Sequence, residues 1–197
     1  MAGVHEKLEH AEHAEHAAHS NKNIALLISV IALFLAFSET LGKSAQTSAI
    51  TENVASNDLW AFFQAKTIRM TVLRTSAESV QLAADGSDNA AAKAAMLKQV
   101  DAWKKTIARY DDEPNTNEGR KQLSARAKEA EHKRDTSLAR YHHYEVASAA
   151  FQIGIVLASA TIITGMMVLA WLAVGLAVVG LIFTAIGFWA PHAVHLV

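Results

Sequence analysis

Cysteine is absent from the sequence, which excludes a disulfide framework, a thiolate zinc site and a cysteine nucleophile and leaves the redox compartment open. Charged residues make up only 19% of the chain and aromatics 7%, against 51% hydrophobic residues, an unusual balance for a soluble protein of 197 residues. Neither sign of charge dominates, since 18 Lys and Arg stand against 19 Asp and Glu. Acid and base interleave as on a solvated helix, rather than gathering into a basic face with aromatics between, so nucleic acid is not an expected partner. The sequence has no G-x-x-x-x-G-K loop, no G-x-S-x-G elbow and no pair of carboxylates in a recognisable cleft. That argues against an enzyme and implies no cofactor.

A further absence is positional. From Val146 to Ala190, 45 residues pass without Asp, Glu, Lys, Arg or His. A helix needs roughly 20 residues to cross a hydrocarbon core of about 30 Å, so the run predicts two helices folded back as a hairpin. The turn belongs at "TGMM", Thr164 to Met167, where Gly165 is the best local punctuation. Trp171 and Trp189 would then lie near opposite interfaces, with Pro191 ending the last helix.

A second apolar run, Ile24 to Phe37, extends through Leu41 to a span of about 18 residues. Four Glu and only two Lys precede it and no small-x-small site stands cleanly after Phe37, so an uncleaved anchor is expected rather than a signal peptide. The chain therefore divides into a His/Glu-rich pre-membrane helix (1–22), a first transmembrane helix (23–41), a polar block (42–145), a transmembrane hairpin (146–190) and a tail (191–197). Membrane lipid is its expected surrounding.

From Gly42 to His143 lie 16 of the 18 Lys and Arg and 13 of the 19 Asp and Glu. Within this block Leu59, Phe63, Met70, Leu73, Ala77 and Val80 alternate steps of four and three, with Lys66 filling the remaining seam position. Met96, Val100, Trp103, Ile107 and Tyr110 repeat the pattern without a gap, and Leu123, Ala127, Ala130, Arg134, Ser137, Tyr141 and Tyr144 form a weaker third set. Three helices follow, broken at "DGSDN" (85–89) and "EPNTNEG" (113–119), where turn residues coincide with lapses of periodicity. At about 1.5 Å per residue the soluble parts of the first and third would reach about 60 and 40 Å. The expected fold class is an all-α membrane protein, with three transmembrane helices and a long antiparallel, coiled-coil-like helical stalk between the first and second spans.

One chain covers only part of three apolar seams. That surplus, with a small-residue face of Ala173, Ala177 and Gly180 on the last span, leads to the expectation of a homo-oligomer. Sidedness is contested by the charges themselves. Lys43, Lys128, Lys133, Arg134 and Arg140 outnumber Lys7 and Lys22 and favour a cytoplasmic block, yet loops beyond about 60 residues are translocated largely regardless of charge.

The segments "SNDLWAFFQAKTIR" (Ser56 to Arg69) and "FQIGIVLASATIIT" (Phe151 to Thr164), together with the His/Glu-rich start, resemble an uncharacterised bacterial membrane family, the domain of unknown function 4337 family. The resemblance covers nearly the whole chain, and W-A-aromatic-aromatic-Q-A-K at Trp60 to Lys66 is its most specific mark. It implies one N-terminal span, a polar helical middle and a C-terminal pair of spans in the bacterial inner (plasma) membrane. Family members tend to carry basic residues before the first span and in the last turn, which implies a stalk facing outward, periplasmic or extracellular. It implies no known activity.

Four groups are candidate sites. His10, His13, His16 and His19 recur every third residue, so on a helix they wind round the surface and make no compact metal cage within one chain. They form instead a ladder of Glu and His four apart, Glu6 with His10 through Glu15 with His19, each worth about 0.2 to 0.5 kcal/mol and more when the histidine is protonated. A solvated helix, weak metal binding in an oligomer and a pH response all remain open for them. Glu39 is the one carboxylate expected within a span, near its end, and is a candidate proton or pore site or a solvated interfacial group. Trp60, Phe62, Phe63 and Lys66 are a candidate interaction or packing patch. His142 and His143, beside Tyr141, Tyr144 and Glu145, resemble an aromatic belt at the interface where the third helix enters the membrane, with a buried proton-handling cluster as the alternative.

The leading expectation is a non-enzymatic, oligomeric, membrane-anchored scaffold whose stalk organises neighbouring chains or binds a protein partner. The alternatives are a channel or small-solute transporter formed by a homo-oligomer, with Glu39 and the histidines near its mouths, and an accessory subunit of a larger membrane complex.

Overall fold

The computed structural model describes residues 2–194, and of 2–21 the helical backbone only. Four helices follow one another: α1 (Ala2–Asp85), α2 (Ala90–Asp111), α3 (Arg120–Thr164) and α4 (Met167–Trp189); no strand occurs among the described residues. Three of them, α1, α3 and α4, are long and apolar enough to cross a membrane. The chain forms two compact units, one of the residues up to Ser48 with those from Thr136 on, the other Ala49–Asp135.

In the first unit α1, α3 and α4 pack in layers seven residues apart. Ile24 meets Ala158 and Ala173 in one layer. Seven residues further along α1 and seven back along α3, Ile31 packs against Phe151. The Phe151 ring lies where a Cβ on Gly180, seven beyond Ala173, would meet it at 2.7 Å. Seven further again, Ser38 Oγ donates to the Tyr144 carbonyl at 3.1 Å, and a Cβ on Gly187 would come within 2.9 Å of the Tyr144 ring and 3.0 Å of His143. Hence α3 runs opposite to both α1 and α4. In lipid, apolar side chains gain nothing by leaving hydrocarbon, so close contact over small residues supplies the association.

This packing alters the expectation for the last span. Ala173 and Gly180 are buried, and Ala177 packs beside Phe151. The small-residue face is filled by the chain's own α3, because Phe151 and Tyr144 need the space that glycine leaves, and it is not free to join a neighbouring chain. What faces outward is large and apolar, including Leu26, Leu33, Phe37, Val156, Ile163 and Leu172. Trp171 and Trp189, near the two ends of α4, are 73% and 77% exposed. Hydroxyls inside these helices are satisfied locally, as Ser29, Thr40, Ser159, Thr161 and Thr184 each donate to the carbonyl four residues back. The turn between α3 and α4 places Gly165 at φ 70, a left-handed conformation that glycine adopts without strain.

In the second unit α1 meets α3 through Asn53 with Arg134 at 3.5 Å, Trp60 Nε1 with Glu131 at 2.8 Å, and the Phe63 ring under the Arg120 guanidinium at 4.7 Å. Met70, Ala77, Ala84, Val100, Leu123, Ala127 and Ala130 are buried. Asn89 caps α2 by accepting from Ala91 and Ala92 N–H at 3.0 and 3.1 Å. The buried positions of α1 keep one seven-residue register from Ile24 to Ala84: Ile24, Ile31, Ser38 and Ala45 on one row, and Gly42, Ala49, Ser56, Met70, Ala77 and Ala84 on the other. The sequence shows this seam only from Leu59 onward, because from Ser38 to Ser56 its members are small rather than apolar.

Candidate functional site

The heptad that buries Ser38 leaves its neighbours on the rim of the bundle. Glu39, Lys43 and Gln46 follow at i, i+4 and i+7 on one face of α1, and Glu145, Ser148 and Gln152 at i, i+3 and i+7 on one face of α3. Facing each other, these polar rows line a groove of about 440 Å³, floored by Ser38, Gly42 and Tyr144 and flanked by Tyr141 and Ala149. The groove sits at the third packing layer, where the apolar runs of α1 and α3 end.

Glu39 is exposed, and its Oε1 accepts from Gln152 Nε2 at 3.2 Å. Across the groove Tyr141 Oη donates to Glu145 Oε1 at 3.4 Å, and His142 Nδ1 lies 3.7 Å from Glu145 Oε2. Lys43 follows Glu39 by four residues, the favourable order for a helical pair. Its ammonium nonetheless enters no ion pair among the described residues. The groove therefore offers two carboxylates, one ammonium and two amides side by side. Ser38 is committed to the Tyr144 carbonyl and has no base beside it. The arrangement suits recognition of a charged polar group and has no activated nucleophile.

Glu39 was a candidate on sequence grounds, while its partner Gln152 was not. The available signal was that Gln152 is the single amide in the charge-free run from Val146 to Ala190. The belt expected at His142 to Tyr144 is corrected by the structure: His143 and Tyr144 are 1% and 4% exposed and point into the bundle against Gly187. His143 Nε2 lies 3.0 Å from the Pro191 carbonyl. A carbonyl only accepts, so Nε2 carries a proton, while Nδ1 is buried without a hydrogen-bond partner among the described residues. His142 remains on the rim with Glu145.

The Trp60 patch belongs to the packing of the second unit. Trp60 is bonded to Glu131, Phe63 stacks edge-on against Trp60 at 5.4 Å, and Lys66 is 3% exposed. The Lys66 ammonium lies 3.4 Å from Glu113 and 3.8 Å from Glu118, and over the rings of Phe62 and Tyr110 at 5.1 and 5.4 Å. A charge enclosed in this way is not offered to an outside partner. The side chains of His10, His13, His16 and His19 lie outside the described residues. Among the described residues no three His, Asp or Glu side chains converge as a metal set.

No curated protein and no solved structure gives a significant match to the chain. The profile of the family described as "Domain of unknown function (DUF4337)" matches residues 20–190, and the protein belongs to that family.

Proposed function

We propose that this protein is a non-enzymatic, homo-oligomeric scaffold anchored in the bacterial inner (plasma) membrane, whose helical stalk organises neighbouring chains or binds a protein partner. The observation that carries this reading is an uncovered row on α1 within the second unit. Val54, Ala61, Ile68, Thr75 and Leu82 recur every seven residues and all are exposed, with Val72 beside them. Ile68, Val72 and Leu82 are 64%, 59% and 74% exposed, beyond the apolar run that lipid would cover. Apolar rows in water at this spacing are what a second helix covers. The pairs Asn53–Arg134, Trp60–Glu131 and Phe63–Arg120 ascend α1 as they descend α3, which supports an antiparallel, coiled-coil-like stalk. The outward orientation of that stalk, periplasmic or extracellular, rests on the likeness to other family members.

The absence of native cysteine makes the test direct. Ile68→Cys in membranes is expected to give a disulfide-linked dimer under mild oxidation, and Lys104→Cys on α2 is not. Failure of Val54, Ala61 and Ile68 variants alike would remove the surface assigned to the oligomer.

The groove around Glu39 favours a second reading, a channel or small-solute transporter formed by the homo-oligomer, since an acidic group with an amide partner lies at the end of a span. Ion flux through the protein in liposomes, lowered by Glu39→Gln, would favour it over the scaffold. An accessory subunit would instead co-purify with partners in fixed stoichiometry.

A further inference from the structure

The groove between α1 and α3 at the end of the bundle holds two carboxylates, Glu39 and Glu145, that no Lys or Arg among the described residues neutralises. Among the described residues only one Glu39 oxygen is bonded, and its donor is the neutral amide of Gln152. Glu145 is met by the Tyr141 hydroxyl and by His142, which carries charge only when protonated. Lys43 lines the same groove and pairs with neither carboxylate, although helical spacing places it one turn from Glu39. Opposite charges that share a cavity without meeting are complementary to a ligand that carries both.

We infer that the groove binds the headgroup of an amine-bearing phospholipid of the phosphatidylethanolamine class, its ammonium between Glu39 and Glu145 and its phosphate on Lys43. The inference rests on the reading of 23–41 and 146–190 as membrane spans. Within that reading the groove lies where a headgroup lies. On the apolar side of the groove, Ala36, one turn before Glu39, is exposed and Val156, one turn after Gln152, is 65% exposed, so acyl chains have a path along α1 and α3. The volume of about 440 Å³ falls within the range of about 300 to 1,000 Å³ typical of small-ligand sites. Competing ligands fit less well. A divalent cation lacks a third acidic or histidine ligand among the described residues. An anionic headgroup would meet two carboxylates for one lysine. A choline has no N–H to donate to them, and in place of a cage of several rings the groove sets a single aromatic, Tyr141, on its flank, Tyr144 being buried in the floor.

The test uses the full chain in mild detergent, titrated with phosphatidylethanolamine, phosphatidylcholine and phosphatidylglycerol of one acyl composition, with bound lipid read by native mass spectrometry. Phosphatidylethanolamine is expected to be retained at concentrations about fivefold lower than the other two, in keeping with a few solvent-exposed charge contacts. Replacing both carboxylates, Glu39→Gln with Glu145→Gln, should erase the preference over phosphatidylcholine, and Lys43→Gln should weaken both zwitterionic lipids. Equal retention of all three by the natural chain would overturn the inference, and needs no variant to fold. Soluble glycerophosphoethanolamine is expected to displace the lipid only at far higher concentration; equal potency would overturn the assignment to a lipid. Retention of no lipid at all, phosphatidylcholine included, would count against the spans themselves.

Discussion

Lys66 stands at a seam position where an apolar side chain is the rule, with its side chain 4% exposed and Glu113 as its nearest acid. Removing a partner of a buried charge leaves that charge uncompensated, whereas removing the charge relieves its desolvation. Glu113→Ala is therefore expected to destabilise the second unit by about 1–3 kcal/mol, because Glu118 remains as a weaker partner, while Lys66→Met is expected to be neutral or stabilising. Urea denaturation of the two variants checks the order, and a larger loss for Lys66→Met would contradict it. Two glycines of α4 make a second pair. Gly180→Ala places a Cβ against the Phe151 ring and should lower stability by about 1–3 kcal/mol, while Gly175, with nothing within 4 Å, should accept Ala without loss in a detergent melt. Single residues were the least legible part of the sequence. Gln152 and Glu39 are separated by more than 100 positions, and nothing local marks His143 as buried and His142 as rim.

At the scale of elements, breaks were visible where the chemistry of the chain forces them. Gly165 sits at φ 70, and Gly165→Ala should cost about 1–2 kcal/mol of strain, read as a lowered melting temperature in detergent. The connection between α2 and α3 is tied by Asp112. Its carboxyl is held below the ordinary value of 3.8, first by the hydrogen bond from Gln122 at 2.6 Å and then by that from Lys121 at 3.1 Å. Lys121 is raised above 10.5, chiefly by the same bond to Asp112. A carboxylate lowered on folding stabilises above its unfolded value and loses that contribution as pH falls through its folded value; a lysine raised on folding stabilises below its unfolded value and loses it as pH rises through its folded one. The stability difference between the natural chain and Asp112→Asn should thus be flat from about pH 5 to 9 and shrink at both extremes, with a small amplitude that salt reduces further. A difference growing in acid would contradict the assignment. The α1 seam was legible only in part. Hydropathy registers Leu59, Met70 and Ala77, but Ser38, Gly42, Ala45 and Ser56 are buried because they are small enough for α3 to approach, and size carries no periodic hydrophobic signal.

For the whole molecule, helical class and three helices able to cross a membrane follow from composition and run length, because lipid demands helices whose backbone groups are satisfied within the segment. Which surfaces are spent inside the chain did not follow. The small face of α4 is consumed by α3, and the surface proposed for another chain is the exposed row of Val54, Ile68 and Leu82 on α1. Covering that row is the central claim. Light scattering of the purified full chain in mild detergent, corrected for bound detergent, tests it most directly. The account predicts a protein mass that is a whole multiple, two or more, of 21.3 kDa, reduced by charged replacements at Ile68 and Leu82; a mass of 21.3 kDa for the natural chain would contradict it.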